Sequence, residues 1–242
     1  MRMLLTNDDG IDAPGIQTLH EAVQDFWQQR EVMIPEGSPL PQAFRVAPQT
    51  QQSGCGHQLS TYSPIHVEHR DELSFAVGGT PADCVRLGLT AFVQEIDWVL
   101  SGINAGSNLG ADIYTSGTVA AVREAALHRI PAIAFSLHTV PGLAEDWQRA
   151  RQWATKILHL LSDRPLEPGT YWNVNFPTLP ADAPDPEVVF VPVCTQPLPI
   201  GFVLQDDHYH YTGRYPDRRQ DPGSDTEACM GNQQIAITLL RL

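Results

Sequence analysis

Cations are scarce in this chain. Lys and Arg total 15 against 28 Asp and Glu, so its 242 residues carry a formal charge of −13 with neutral histidines. The isoelectric point is near 4.9. Duplex nucleic acid is gripped by clustered Lys and Arg, so that class of partner is excluded. A small anionic substrate remains open, provided a local cation offsets the overall field. Cysteine is sparse too. Cys55, Cys84, Cys194 and Cys229 form no C-x-x-C pair, which reads as reduced thiols in a cytoplasmic protein. No apolar run approaches the roughly 20 residues of a membrane span, so no membrane partner is expected. Asp8 and Asp9 arrive too early for the apolar region of a secretory leader. The common nucleotide and hydrolase signatures are absent as well. There is no G-x-x-x-x-G-K-[ST], no G-x-G-x-x-G after the first strand, no D-x-D at that point and no G-x-S-x-G.

What the chain does have is a hydrophobic content of 42%, too high for a disordered polymer. Arg2 to Thr6 is a short apolar strand that ends in Asn7-Asp-Asp-Gly10. Ile16, Leu19, Val23 and Phe26 then mark one face of a helix. After a Pro-rich stretch from Ile34, Arg45 to Pro48 reads as a short strand. Thr80 caps a helix with Pro81 at its first position and Asp83 in its first turn, where the helix dipole favours a carboxylate. Trp98 to Ser101 and Ile130 to Leu137 read as buried strands, with a helix from Val119 to His128 between them. Trp147, Ala150, Ala154, Ile157, Leu158 and Leu161 line a further helix, on which Trp147 and Trp153 serve packing. Alternating strands and helices predict an α/β fold, a Rossmann-like and mostly parallel sheet with helices on both faces. Residues 1–165 form that core. Residues 166–242 read as a β-rich C-terminal extension, with strands at Tyr171–Phe176, Glu187–Cys194 and Gln233–Leu242.

Ligands of open parallel sheets bind beyond the carboxyl ends of the strands. Asp8 and Asp9 sit at such an end, and two adjacent carboxylates repel unless a cation or proton intervenes. A hard divalent ion suits them; a plain Asx turn is the alternative. The Gly-rich run Gly102–Gly110 and the helix opening at Ser116-Gly-Thr118 offer backbone N–H groups to an anion. A metal half and an anion half together suggest phosphoryl chemistry. His57 admits two roles, catalysis or a loop-ordering hydrogen bond, and Asp112 could support the site or be a surface acid. His208-x-His210 has metal-like spacing but lies in an acidic, Tyr-rich arm and reads as surface or interface.

Four blocks in order carry a resemblance: Leu4-Leu-Thr-Asn-Asp-Asp-Gly-Ile11 with Ala13-Pro-Gly-Ile16, Gly79-Thr-Pro-Ala-Asp-Cys-Val85, Ser101-Gly-Ile-Asn-Ala-Gly-Ser-Asn-Leu-Gly110 and Tyr114-Thr-Ser-Gly-Thr-Val119. With them the chain resembles the SurE survival-protein family of 5′/3′-nucleotidases. The resemblance implies a phosphomonoesterase that hydrolyses nucleoside 5′- and 3′-monophosphates by divalent-metal-assisted attack of water. It implies one cation per subunit, Mg²⁺ or Mn²⁺, held by Asp8, Asp9, Ser53 and Asn104, with Asp8 and Asp9 catalytic. Asn108, Ser116, Gly117 and Thr118 would bind phosphate, with Asn7 and His57 as further candidates. It also implies a homodimer or homotetramer that exchanges an arm near Leu198–Ser224, a segment not expected to fold on itself. Two departures stand out: an insertion at Pro35–Phe44, and an uncharged loop Gln49-Thr-Gln-Gln52 where many members carry charge. A non-catalytic nucleotide- or phosphate-binding oligomer is the competing reading. Paired acids beside a phosphate argue against it unless a metal is present.

Overall fold

The computed structural model describes residues 1–30 and 40–242. Residues 34–39 of the Pro-rich stretch, and with them the first half of the Pro35–Phe44 insertion, lie outside the described residues, while Gln42–Phe44 belong to β2. The first strand, β1 (Arg2–Thr6), is followed by helix α1 (Pro14–Arg30) and then β2 (Gln42–Pro48). β2 starts at Gln42, ahead of the expected Arg45, because its first residues pair in parallel with Arg2 and Met3 of β1. A hairpin of β3 (Val67–Asp71) and β4 (Ser74–Val77) precedes α2 (Pro81–Leu87). The chain continues through β5 (Trp98–Ala105), α3 (Gly117–Leu127), β6 (Ala132–Leu137), α4 (Trp147–Leu161) and β7 (Thr170–Phe176). β8 (Val188–Phe190), β9 (Phe202–Gln205), β10 (His208–Tyr211) and β11 (Ile235–Arg241) complete it.

Among the described residues, nine strands form one sheet in the order β3-β4-β2-β1-β5-β6-β7-β11-β8. From β4 through β7 every pairing is parallel, β3–β4 and β7–β11 are antiparallel, and β8 joins β11 in parallel at the edge. Beyond residue 165, β7, β11 and β8 extend the same sheet, whereas β9 and β10 form a separate two-stranded one. Burying both faces of a parallel sheet requires apolar side chains on both sides of each strand. On one face Leu5, Leu100, Ile133 and Phe135 pack under α1 and α4 through Leu19, Phe26, Ile157 and Leu158. On the other, Leu4, Val99 and Ala134 meet α2 and α3 through Val85, Val119 and Val122. Each such large aliphatic or aromatic side chain contributes about 1.5–3 kcal/mol when removed from water.

Local signals set the helix ends. Thr80 Oγ1 accepts from the Asp83 N–H at 3.2 Å while Asp83 Oδ2 accepts from the Thr80 N–H at 3.0 Å, a reciprocal capping box. α1 begins tight against the sheet. A Cβ on Gly15 would fall 1.9 Å from the carbonyl oxygen of Ile103, so only glycine permits that approach.

The segment Leu198–Ser224 corrects one expectation, since part of it does fold on itself. β9 and β10 pair antiparallel as a hairpin, because Asp206 and Asp207 adopt positive φ of 46° and 58° in the two-residue turn. All eight strand residues are exposed.

Candidate active site

The sheet order reverses direction between β1 and β5: after β1 the chain builds outward through β2 and β4, then returns to lay β5 on the other side. Such a switch point opens a crevice at the carboxyl ends. The Asn7–Gly10 turn leaves β1 there, and Asn104, the next-to-last residue of β5, lies beside it. Within the turn, Asn7 Nδ2 donates to the Gly10 carbonyl at 2.8 Å and Asn7 Oδ1 accepts from the Gly10 N–H at 3.2 Å. Asn7 is thus fully occupied in shaping the turn, while Asp8 and Asp9 project from it.

Asp8 is only 5% exposed. Its Oδ1 accepts a hydrogen bond from the Thr118 hydroxyl at the start of α3. Burial pushes the Asp8 carboxyl up to about 6; the Thr118 hydrogen bond opposes that and the neighbouring Asp9 charge adds to it. Asp9 is raised by burial as well, against hydrogen bonds from the Ala105 N–H and Gln51. Among the described residues no Lys, Arg or His forms a salt bridge to either group. Two neighbouring carboxylates lacking a counter-charge form an electrostatic deficit that a bound cation relieves.

The remaining oxygen donors come from two loops. Gln52 donates its N–H to the Asp8 carbonyl at 2.7 Å, which ties the 49–57 loop to the acidic turn. Gln51 Nε2 bridges Ser53 Oγ at 2.9 Å and Asp9 Oδ1 at 3.4 Å, so the exposed Ser53 hydroxyl is coupled to Asp9. Between the pairs Ser101–Ala134 and Asn104–Ser136, two residues of β5, Gly102 and Ile103, oppose one of β6, Phe135. This bulge re-aims the strand end. Asn104 Nδ2 then donates to the Gly106 carbonyl at 2.8 Å, leaving its side-chain oxygen as the available donor atom. An all-oxygen set of two carboxylates, a hydroxyl and an amide fits Mg²⁺ or Mn²⁺ rather than a soft metal.

Opposite the acids lies the N-terminus of α3. Ser116 caps it, its Oγ accepting from the Val119 N–H at 3.1 Å. Gly117 is the point of closest approach. A Cβ there would lie 2.8 Å from Asp8 Cβ and 2.9 Å from Cys55 Sγ. Asn108 is more deeply held, its Nδ2 donating to Ser136 Oγ at 2.8 Å.

His57 turns away from the acids. Its Nε2 lies 2.7 Å from Oε2 of the buried Glu124 on α3, which also receives Arg86 at 2.6 Å and His128 at 3.1 Å. The structure thus brings Asp8, Asp9, Asn104, Ser116, Gly117 and Thr118 to one edge, with Ser53 tethered beside them. Asn7 and His57 build the surroundings.

Several supporting residues escaped the sequence reading. Asn173 and Asn175 of β7 donate to the Asn108 carbonyl at 2.8 and 3.1 Å, and Asn175 Oδ1 accepts from the Asn108 N–H at 2.8 Å. Asp225, fully buried, accepts from the Gly110 N–H at 2.9 Å. Arg218 pairs with Asp112 at 2.8 Å and donates to the Leu109 carbonyl at 3.0 Å. The signal for the asparagines was present: two amides at i and i+2 share one face of a strand that is otherwise apolar.

The chain is similar to several known proteins. A protein of Nostoc sp. named as a candidate 5′-nucleotidase is 46% identical over 243 residues, spanning both chains fully. The 5′-nucleotidase SurE of Geotalea daltonii is 41% identical over 190 residues, 78% of this chain and 71% of its own. The crystal structure of the SurE protein from Aquifex aeolicus matches with a TM-score of 0.82 at 29% identity, covering 100% of this chain and 93% of that one. The family of the survival protein SurE matches residues 3–196, and the chain belongs to that family.

Proposed function

We propose that the chain is a metal-dependent phosphomonoesterase that hydrolyses nucleoside 5′- and 3′-monophosphates to nucleoside and phosphate. The observation that carries this reading is the pair Asp8–Asp9, Asp8 buried against the start of a helix and Asp9 half-buried beside it, with no salt bridge to either among the described residues. Asp8, Asp9, the Ser53 hydroxyl and the Asn104 side-chain oxygen would hold one divalent cation, Mg²⁺ or Mn²⁺. Such an ion would polarise a phosphoryl oxygen and lower the pKa of water. Asp8 or Asp9 would accept a proton from the attacking water. The backbone N–H groups that open α3 at Gly117 and Thr118, with the Ser116 and Asn108 side chains, bind the equatorial phosphate oxygens as negative charge builds on them. Thr118 holds Asp8 in register for that geometry.

In this reading residues 1–165 carry the chemistry and residues 166–242 brace the site and supply an oligomerisation arm. The β9–β10 hairpin exposes Phe202, Val203, Leu204 and Tyr211, a surface suited to exchange with a second copy in a dimer or tetramer. The four cysteines are free, as expected in a reducing cytoplasm. No described helix is long and apolar enough to cross a membrane.

The test is phosphate release from 5′- and 3′-nucleoside monophosphates with Mg²⁺, with Mn²⁺ and with chelator. Metal-dependent release is expected. Full activity in chelator sinks the metal reading, and no release from folded, metal-loaded protein shifts the assignment to a binding oligomer. A phosphoenzyme trapped with labelled substrate would replace direct water attack by an aspartyl-phosphate route.

A further inference from the structure

We propose that a second cavity on the same edge of the sheet receives the nucleoside portion of the substrate, an inference that rests on the phosphomonoesterase reading above. The cavity measures about 600 Å³ and is walled by His138, Val140, Leu143, Glu145, Tyr215 and Met230. That volume lies within the range of small-molecule sites, which combine mostly apolar walls with a few directed polar groups.

Its location follows from the strand order. His138 is the residue after β6, and its N–H donates to the Phe176 carbonyl at 2.8 Å, fixing it at the carboxyl edge. β6 stands two strands from β1. At the usual interstrand spacing that is a displacement of about 10 Å, the span of a nucleoside from its phosphate. The two places are also joined covalently and by hydrogen bonds. His138 Nδ1 lies 2.6 Å from Ser107 Oγ. Ser107 sits between Gly106, whose carbonyl holds the Asn104 amide, and Asn108 of the phosphate loop.

The walls have the chemistry a nucleoside needs. The Tyr215 hydroxyl donates to Asp112 Oδ2 at 2.7 Å, and the Arg218 guanidinium lies 4.8 Å from the ring centroid. A ring fixed at both its tip and its face is a rigid stacking surface. Met230 supplies a polarisable wall. His138 offers a ring nitrogen edge, and the Glu145 carboxylate offers an acceptor for ribose hydroxyls.

The experiment compares kcat/KM for adenosine monophosphate with that for glycerol 2-phosphate, a phosphomonoester without a base, in wild type and Val140→Trp. Val140 is 37% exposed, so the indole can enter the cavity without disturbing the core, and circular dichroism checks the fold. The expected result is a rise of about tenfold or more in KM for the nucleotide, the scale at which pocket shape discriminates, with glycerol 2-phosphate unchanged. Glu145→Gln should give a smaller rise confined to the nucleotide. Equal losses on both substrates, or no loss on either, overturn the proposal. If wild type hydrolyses neither ester, the phosphomonoesterase reading fails on its own. Binding of adenosine, followed by ligand-observed NMR, then decides the cavity: signal lost in Val140→Trp supports it, and no binding to wild type rejects it.

Discussion

The Asn7–Gly10 turn closes on itself, Asn7 exchanging hydrogen bonds with a glycine only three residues away. The Asn104–Gly110 loop, by contrast, is held by Asn173, Asn175 and Asp225, which lie 65 to 115 residues further along the chain. Both structures shape the same crevice. The carboxylate pair is thus a local product of the first strand and its turn, and the Gly-rich half, which carries Asn104 and Asn108, is a tertiary product held by the C-terminal third. Damage to the first should cost chemistry with little stability. Damage to the second should cost both.

Asp8→Asn gives the largest effect. Removing one carboxylate while keeping the shape and the Thr118 contact should lower kcat/KM by about 10²–10³-fold. The melting temperature should hold or rise, since a buried charge is replaced by a neutral amide. Asp225→Ala tests the other half. It leaves the Gly110 and Cys194 N–H groups buried without an acceptor, so about 2–4 kcal/mol of stability should be lost in urea unfolding, with a parallel fall in activity. Gly117→Ala lies between the halves. Its Cβ must displace Asp8 or Cys55, and kcat should fall about tenfold while unfolding shifts by only about 1 kcal/mol.

Glu124→Gln is the mildest and sharpens the comparison through pH. Burial raises this carboxyl, but hydrogen bonds from His57, Arg86 and His128 outweigh it and hold the group down at about 2. A folded-state value below the ordinary 4.5 means its stabilisation is complete above pH 4.5 and is lost as pH falls toward 2. The advantage of wild type over Glu124→Gln in urea unfolding, about 1–2 kcal/mol at pH 7, should therefore shrink across that window. An advantage that grows on acidification would contradict the assignment.

The same local-against-distant contrast explains what the sequence disclosed. Thr80, Pro81 and Asp83 announced α2 because a capping box is written in four consecutive residues, and α4 showed its apolar spacing plainly. Asp8, Asp9 and the Ser116–Thr118 helix start could be placed because each directly follows or opens a regular element. The β3 strand, Val67-Glu-His-Arg-Asp71, is mostly exposed, so it lacks the apolar alternation that marks a strand. The β9–β10 hairpin turns on Asp206-Asp207, without the glycine that usually signals such a turn. The partners of Asn108 and Gly110 could not be paired from spacing, because nothing local links β7 or Asp225 to a loop so far back.

The most direct measurement is titration of metal-free protein with Mn²⁺, followed by electron paramagnetic resonance, in wild type, Asp8→Asn and Asp9→Asn. The account predicts one ion bound per wild-type chain and binding abolished or strongly weakened in both variants, each still folded by circular dichroism. Undiminished binding in both variants would contradict the claim that the paired carboxylates hold the metal.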